Sequence, residues 1–220
     1  MEKRWKIVLI RHGKTPGNEE KRYIGRTDEG LSGQGLLELR ERKYPKAGRV
    51  FSSPMKRCLE TCACLYAGAG IQKIESFREI DFGTFEGKNY RELAKDPDYQ
   101  AWIDSGGMLA FPGGESREEF IQRSLQGFRE VIAVLCGGAE AEKISDKASD
   151  EASDAASGAY DENTFDAALV VHGGTIMAIL SSLYGGDYYD YQIPNAGAYL
   201  AELIQKDGEV RITAVRKYDF

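Results

Sequence analysis

The chain has 220 residues, of which 42% are hydrophobic, enough for a folded core, so disorder of the whole chain is excluded. Its 29 Lys and Arg against 35 Asp and Glu give a net charge of −6, which argues against a protein that binds nucleic acid. No apolar run approaches the roughly 18 residues of a membrane span, and Ile7–Ile10 is too short for a signal peptide. We therefore expect a cytoplasmic protein without a membrane partner.

Hydrophobic patterning predicts strands that alternate with helices. The run Ile7–Ile10 predicts a buried strand that ends at Arg11-His12-Gly13. The next predicted elements are a helix from near Ser32, a strand at 50–52, a helix with Ser53 as N-cap and Pro54 as its first residue that runs to about Tyr66, and a third strand near Ile74. The middle of the chain predicts a helix over 88–104 interrupted at Pro97, a loop at 111–114 and a helix after the capping box 116–119. The last predicted elements are a strand at 167–171, a helix from about Thr175 to Tyr184, and two strands at 199–204 and 210–215 joined by an Asp207-Gly208 hairpin. This order predicts a three-layer α/β/α fold with a mostly parallel central sheet in a single domain, 1–220.

The segment 138–163 differs in composition from the rest of the chain. It holds eight acidic residues and two lysines, so its net charge of −6 equals that of the whole protein. Such a segment buries too little apolar surface to fold by itself, and we expect a flexible acidic insertion. The alternative is an alanine-rich surface helix, because Ile144, Ala148 and Ala152 recur every fourth residue.

The cysteine and histidine counts argue against a metal site. Cys58, Cys62, Cys64 and Cys136 do not have the paired spacing of a zinc site, and we expect buried free thiols. The chain contains two histidines, which excludes a multi-histidine centre. We therefore expect neither a metal nor a cluster of metal ligands.

Both histidines, His12 and His172, end an apolar strand and precede a glycine. Ligands of open α/β sheets bind at the carboxyl ends of strands, so the two side chains can converge on one pocket. A hydrogen-bonded structural histidine is the alternative for either one alone. Arg11 and Arg57 add guanidinium groups that suit phosphate oxygens, and the helix starts near Ser53 and Gly173 add backbone N–H donors.

Six motifs follow each other in the order of a known family. They are Leu9-Ile10-Arg11-His12-Gly13-Lys14-Thr15 with Asn18, Gly25-Arg26-Thr27-Asp28 with Leu31-Ser32, Ser52-Ser53-Pro54-Met55-Lys56-Arg57 with Thr61, Arg78-Glu79-Ile80 with Phe82-Gly83 and Phe85-Glu86-Gly87, Phe111-Pro112-Gly113-Gly114-Glu115-Ser116, and Val170-Val171-His172-Gly173-Gly174. The chain resembles the histidine phosphatase superfamily, which includes cofactor-dependent phosphoglycerate mutases, over nearly all residues outside 138–163. The elements around Phe85 and Pro112 are most similar to its bacterial phosphatases, including α-ribazole phosphatases.

The resemblance implies a phosphoglycerate mutase-like fold and a role for each motif residue. His12 is the implied nucleophile, Glu79 the implied proton donor, and His172 a catalytic residue that also holds phosphate. The implied phosphate-binding or substrate-binding residues are Arg11, Thr15, Asn18, Arg26, Arg57, His172 and Gly173. A neutral imidazole is nucleophilic near pH 7, and fixed cations stabilise the charge of phosphoryl transfer without a metal.

Two features depart from the family pattern or leave it ambiguous. Lys14 stands where an acidic or amide residue is common, and it either favours anionic substrates or faces solvent. Asp81 and Glu86 lie close in sequence to Glu79, so the motif alone does not exclude Glu86 as the acid.

Three functions remain open from the sequence. The first is a metal-independent phosphomonoesterase that acts through a phosphohistidine on small phosphorylated metabolites, α-ribazole phosphate among them, with no cofactor. The second is a phosphoglycerate mutase that requires bisphosphoglycerate, and the third is a non-catalytic regulatory member. We expect a monomer or a homodimer.

Overall fold

The computed structural model describes residues 2–137, 143–144 and 164–220. The described strands are β1 Lys3–Arg11, β2 Lys46–Ser52, β3 Ile71–Lys73, β4 Lys143–Ile144, β5 Thr164–Val171, β6 Ala198–Lys206 and β7 Glu209–Lys217. The described helices are α1 Pro16–Glu19, α2 Gly33–Glu41, α3 Lys56–Leu65, α4 Pro97–Asp104, α5 Arg117–Leu135 and α6 Gly173–Leu183. Short 3-10 turns cover Glu75–Phe77, Gly83–Phe85 and Tyr188–Tyr191. No described helix has the length and apolarity that crossing a membrane requires.

The sheet is mixed and mostly parallel, as predicted. Its described strands run in the order β3-β2-β5-β1-β6-β7-β4. The pairs β1–β5, β2–β5, β2–β3 and β4–β7 are parallel, whereas β1–β6 and β6–β7 are antiparallel. The register between β1 and β5 pairs Arg11 with Val171. His12 and His172 therefore leave the sheet side by side, at the carboxyl ends of adjacent parallel strands.

Both faces of the central strands are buried, which makes the predicted three layers. Ile7 and Leu9 of β1 belong to a core cluster that includes residues of α5 and α6. Val8 and Ile10 point the other way, into a cluster that includes Cys58 of α3. Alternate side chains of one strand thus face opposite layers, and an uninterrupted apolar run satisfies both.

Several local predictions are confirmed at their expected residues. Ser32 caps α2 by accepting a hydrogen bond from the Gly35 N–H at 3.0 Å. Ser116 and Glu119 form the predicted capping box of α5. β6 and β7 pair as the predicted hairpin, and Asp207 and Gly208 at its turn both have positive φ.

The predicted cap of α3 is wrong. The helix begins at Lys56 with Met55 as its N-cap residue, and the side chain of Met55 makes no capping hydrogen bond. Asp28, from a distant loop, accepts from the Lys56 N–H at 2.6 Å. The Ser53 hydroxyl instead lies 2.8 Å from His172 Nε2. The same hydroxyl accepts from the Met55 N–H at 3.3 Å, one residue before the helix begins. Ser53 therefore lies outside the first turn of α3 and joins it to His172.

Three predicted boundaries also need correction. The helix expected over 88–104 is confined to α4, because Pro97 occupies its first turn behind the N-cap Asp96 and begins the helix rather than interrupting it. The third strand ends at Lys73, one residue before Ile74. Helix α6 begins at Gly173, directly after His172, two residues earlier than expected.

Most of the acidic segment 138–163 lies outside the described residues, so the expectation of a flexible insertion and its helical alternative are not addressed. Its described part is the backbone of β4, which pairs with Glu209 and Val210 of β7. Cys58, Cys62 and Cys136 are buried free thiols, as expected, whereas Cys64 is partly exposed.

Candidate active site

The two strand-end histidines lie in contact. Their ring centroids are 5.1 Å apart with the planes at 70°. His12 is 3% exposed and His172 is fully buried. The backbone N–H of His12 donates to the Val171 carbonyl at 3.0 Å, which continues the parallel pairing of β1 and β5 by one more residue. Sheet register therefore fixes the separation of the two imidazoles.

His12 is held in one orientation by its own loop. Its Nδ1 lies 2.8 Å from the Gly13 carbonyl oxygen, and because a carbonyl can only accept, Nδ1 carries the proton. The lone pair of the neutral ring is then on Nε2. Burial, together with the nearby charges of Arg57 and Arg11, lowers the pKa of His12 well below its usual range. The neutral, nucleophilic form is favoured at neutral pH.

Two guanidinium groups lie beside the histidines, one buried and one partly buried. Arg57 is 1% exposed and donates to the backbone carbonyls of Thr27 at 2.9 Å and Gly25 at 3.1 Å. Arg11 donates from Nη1 to the Ile193 carbonyl at 2.7 Å, while its buried Nε has no hydrogen-bond partner in the described part of the chain. Burial lowers the pKa of Arg11. An unpaired buried donor on one of two neighbouring cations is an arrangement that an anion can complete.

His172 has neighbours on both ring nitrogens. Its Nε2 is 2.8 Å from the Ser53 hydroxyl, and its Nδ1 is 3.6 Å from a carboxyl oxygen of Glu79. The Cys58 sulfur lies 3.7 Å from Nε2. Burial, followed by the charge of Arg57, lowers the pKa of His172 well below its usual range. The ring is therefore fixed and neutral before any ligand binds.

Glu79 has the electrostatic environment of an acid. Its side chain is 12% exposed, and one of its oxygens accepts from the Ile80 N–H at 3.0 Å. Burial raises the pKa of Glu79, and the charges of Arg57 and Arg11 oppose the rise only in part. The protonated form that a proton donor requires is thus favoured relative to an exposed glutamate.

Glu86, the alternative acid, is used elsewhere. Its carboxylate accepts from the backbone N–H groups of Gly25 at 3.0 Å and Thr27 at 2.9 Å, and from the Thr27 hydroxyl at 2.8 Å. These residues supply carbonyls to Arg57. Glu86 therefore fixes the loop that holds Arg57.

The other residues expected to bind substrate or phosphate lie in different settings. Asn18 accepts at Oδ1 from the Thr15 N–H at 3.3 Å, and Thr15 is the buried N-cap of α1. Gly173 begins α6, and a Cβ there would lie 3.2 Å from Arg11 Nε. Arg26 is 67% exposed and lies 3.2 Å from Asp81. Lys14 pairs with Glu38 of α2 at 2.6 Å and does not join the histidines.

Sequence reasoning missed two residues that position this site and gave a third, Ser53, a different role. Ser53 contacts His172, as described above. Asn195 donates from Nδ2 to the His12 carbonyl at 3.2 Å and to Asn18 Oδ1 at 3.0 Å. Arg123 donates to the carbonyls of Arg78 at 2.7 Å and Glu79 at 3.3 Å. No local pattern marks Asn195 or Arg123, because each acts over more than forty residues of sequence.

The expectation that no cluster of metal ligands exists is wrong. His12, Glu79 and His172 each offer one ligand atom, and these atoms lie within 4.8 Å of one another. The count of two histidines excluded a larger centre but not a set that a carboxylate completes. The positive charges of Arg11 and Arg57 act on both histidines and oppose a divalent cation there, while they favour an anion.

A cavity of about 600 Å³ opens beside Glu79. Its lining residues are mostly charged, and they are Gly25, Arg26, Met55, Glu75, Arg78, Glu79, Asp81, Gly114, Glu115, Glu119 and Arg123. Neither histidine lines this cavity, and Glu79 is the residue that it shares with the cluster of His12, Glu79 and His172.

Curated relatives include phosphatases from bacteria and plants. A protein of Hydrogenobacter thermophilus provisionally named phosphoserine phosphatase 2 is 27% identical over 204 residues, which cover 87% of this chain and 86% of the relative. A metal-independent phosphoserine phosphatase of Arabidopsis thaliana is 30% identical over 140 residues, with 57% of each chain covered. The match to a bifunctional protein of Mycobacterium tuberculosis is 29% identical and spans 37% of that protein's length.

Solved structures share the fold over almost the whole chain. A phosphoglycerate mutase from Thermus thermophilus is 26% identical with a TM-score of 0.61, covering 97% of this chain and 99% of that one. An Escherichia coli protein proposed to be an α-ribazole-5′-P phosphatase has a TM-score of 0.67 at 17% identity, with 96% of both chains covered. The model of the histidine phosphatase superfamily (branch 1) matches residues 7–139. The chain belongs to the histidine phosphatase superfamily.

Proposed function

We propose that the protein is a metal-independent phosphomonoesterase that acts through a phosphohistidine at His12. The observation that carries the proposal is the hydrogen bond from His12 Nδ1 to the Gly13 carbonyl at 2.8 Å, which leaves the Nε2 lone pair free beside Arg11 and Arg57. Phosphatases among the relatives, one of them metal-independent, support the same class of reaction.

In the first step of the proposed reaction, Nε2 of His12 attacks phosphorus and the bond between phosphorus and the ester oxygen breaks. The carboxyl group of Glu79 gives its proton to the leaving alkoxide, which departs as an alcohol. Arg11, Arg57 and His172 hold the non-bridging oxygens, on which negative charge accumulates in the transition state. The backbone N–H groups at the start of α6 and the amide of Asn18 supply further donors.

In the second step, water attacks the phosphohistidine and the bond between phosphorus and Nε2 breaks. The Glu79 carboxylate takes the proton of the attacking water, which returns the acid to its first state. Inorganic phosphate leaves, and His12 is neutral again. Every proton is carried by side chains of this chain, so no metal or organic cofactor has a part in the proposed cycle.

The proposed substrates are small phosphorylated metabolites. α-Ribazole phosphate is one named candidate, because of the sequence motifs and because a structural neighbour is proposed to be an α-ribazole-5′-P phosphatase. A phosphoglycerate mutase is the second candidate, supported by the similarity to the Thermus thermophilus structure. In that case a phosphorylated substrate replaces water in the second step, and bisphosphoglycerate primes His12.

The decisive experiment follows the phosphoryl group. A ³²P-labelled substrate mixed briefly with the wild-type protein should leave acid-labile, alkali-stable label on His12. The His12→Ala variant should release no phosphate and take up no label, while its circular dichroism spectrum stays that of the wild type. Turnover near the wild-type rate in His12→Ala would remove His12 from the mechanism. Mutase activity in the presence of bisphosphoglycerate, measured alongside, separates the two candidates.

A further inference from the structure

The cavity beside Glu79 receives the part of the substrate that leaves as an alcohol, if the proposed function holds. Seven charged side chains besides Glu79 line it, and the exposed Arg26 and Arg78, which we take as its mouth, each form an ion pair with one of the others. Arg26 lies 3.2 Å from Asp81, and Arg78 lies 2.9 Å from Glu75.

Most acceptors of the cavity are already used inside the protein. The two carboxyl oxygens of Glu115 bind Arg123 at 3.0 and 2.7 Å. Glu119 accepts from the backbone N–H and the hydroxyl of Ser116, as part of the capping box of α5. One oxygen of Asp81 accepts from the Gly83 N–H at 2.9 Å. The excess of acidic residues therefore does not make the cavity a cation site.

The donors of the two arginines at the mouth are less engaged. Arg26 is 67% exposed, and the 3.2 Å approach to Asp81 is its contact within the described residues. Arg78 is 54% exposed, pairs with the 70% exposed Glu75, and directs Nη1 at the Met55 sulfur at 3.4 Å. A thioether is a weak acceptor, and exposed ion pairs of this kind contribute little and exchange readily.

Both arginines are attached to the catalytic groups by very short stretches of chain. Arg26 follows Gly25 and precedes Thr27, whose carbonyls bind Arg57. Arg78 directly precedes Glu79, and its own carbonyl is held by Arg123 at 2.7 Å. The backbone of Arg26 is therefore fixed beside the loop that holds Arg57, and the backbone of Arg78 is fixed beside Glu79.

We propose that Arg26 and Arg78 form a subsite for an anionic group, a carboxylate or a second phosphate, on the leaving alcohol. The preferred substrates are then small phosphomonoesters whose leaving alcohol carries a negative charge, rather than those whose leaving alcohol is neutral or cationic. The inference rests on the proposed function for its placement of the phosphoryl group. The guanidinium fork matches the oxygens of either anion, and it takes the place of the weak pairs with Asp81 and Glu75.

Binding measured without turnover tests the subsite directly. Isothermal titration of the His12→Ala variant with 3-phosphoglycerate and with glycerol 3-phosphate compares two esters of similar size, of which only the first carries a carboxylate. We expect about tenfold tighter binding of 3-phosphoglycerate, and a loss of that preference when Arg26→Gln or Arg78→Gln is added. Arg4→Gln, which removes an equally exposed arginine paired with Glu2 at 2.8 Å, is the matched control and should keep the preference.

Fructose 1,6-bisphosphate against fructose 6-phosphate gives the same comparison for a second phosphate and separates the two kinds of anion. The subsite would be overturned by equal affinity for the two members of both pairs, with and without the second anionic group. Tighter binding of phosphoethanolamine than of 3-phosphoglycerate or fructose 1,6-bisphosphate would also overturn it. Hydrolysis of p-nitrophenyl phosphate by the wild type tests the proposed function separately, since that ester carries no second anion. Activity there without any anion preference would reject the subsite alone.

Discussion

Asn195 donates from its Nδ2 to the Oδ1 of Asn18 at 3.0 Å, across 177 residues of sequence. The same group also donates to the carbonyl of His12 at 3.2 Å. Because Asn18 Oδ1 additionally accepts from the Thr15 N–H, its acceptor side is fixed on these two donors. The NH₂ side of Asn18 then faces away from these two donors, and in the proposed function it donates to a phosphoryl oxygen.

This arrangement makes Asn195 a positioning residue with a measurable signature. Asn195→Ala should lower kcat/KM for p-nitrophenyl phosphate by about tenfold, because Asn18 is free to turn its amide away from the phosphate. Once Asn18 is already alanine, adding Asn195→Ala should cost much less. The measurement is a double-mutant cycle on kcat/KM. Fully additive losses would show that Asn195 acts independently of Asn18.

The roles of Glu79 and Glu86 are separable by leaving group. Glu79→Gln should slow hydrolysis of an alkyl phosphate by about 10²–10⁴-fold, because an alkoxide requires the proton. The loss on p-nitrophenyl phosphate should be much smaller, since p-nitrophenolate leaves without one. The ratio of the two rates in each variant is the measurement. The contrast appearing in Glu86→Gln and not in Glu79→Gln would transfer the role of acid.

Glu86→Gln should act through the loop instead. Its Oε1 accepts from the N–H of Gly25 and from both the N–H and the hydroxyl of Thr27, and in glutamine this oxygen is neutral and therefore a weaker acceptor. The NH₂ group of glutamine also replaces Oε2, which accepts from the Gly25 N–H at 3.1 Å, and so sets a donor against a donor. We expect a loss of about 1–3 kcal/mol in the free energy of unfolding, together with a similar fall in rate on both substrates. Urea denaturation followed by circular dichroism measures the first effect. Unchanged stability would contradict the bracing role.

The dependence of the rate on pH follows from two shifted groups. His12 must be neutral, and its pKa lies well below 6.5, so the acidic limb of the profile is displaced to low pH. Glu79 must be protonated, and its pKa is raised above 4.5. Activity therefore falls as the pH rises through the raised pKa of Glu79. The optimum should therefore lie on the acidic side of neutrality. In Glu79→Gln, the alkaline limb of kcat/KM should disappear; its persistence would assign that limb to another group.

Chelation tests the proposed independence from metals. His12, Glu79 and His172 lie close enough together to reach one ion, so the experiment can contradict the proposed independence from metals. Because Arg11 and Arg57 place positive charge on the same site, we expect that dialysis against EDTA leaves kcat unchanged. Assays before and after dialysis, with zinc and magnesium added back, provide the measurement. Strong inhibition that a divalent ion reverses would place a metal in the mechanism.

The sequence predicts most of the architecture because its signals are local. The apolar run before His12 and the capping box at Ser116 both depend on neighbours a few residues away, and both appear where expected. The positioning contacts depend instead on tertiary packing. Asn195 reaches Asn18 only because the loop after the turn Tyr188–Tyr191 packs on the end of β1, and no spacing in the sequence encodes that contact. The cap predicted at Ser53 fails because α3 begins only at Lys56, whose N–H donates to Asp28 from a loop distant in sequence.

Gly173 tests how closely Arg11 must approach the start of α6. A Cβ at this position would lie 3.2 Å from Nε and 3.3 Å from Cζ of Arg11, so the guanidinium has to shift by a few tenths of an ångström. That Nε has no hydrogen-bond partner among the described residues, and its displacement should weaken the contact with the phosphoryl oxygens that the proposed function assigns to Arg11. We expect Gly173→Ala to lower kcat/KM by about tenfold or more, while the melting temperature stays the same or rises, because alanine favours a helix. Gly33→Ala is the matched control: Gly33 also begins a helix, α2, and a Cβ there meets nothing within 4 Å. Equal activity in the two variants would show that Arg11 tolerates the extra methyl group and that its position at α6 is not limiting.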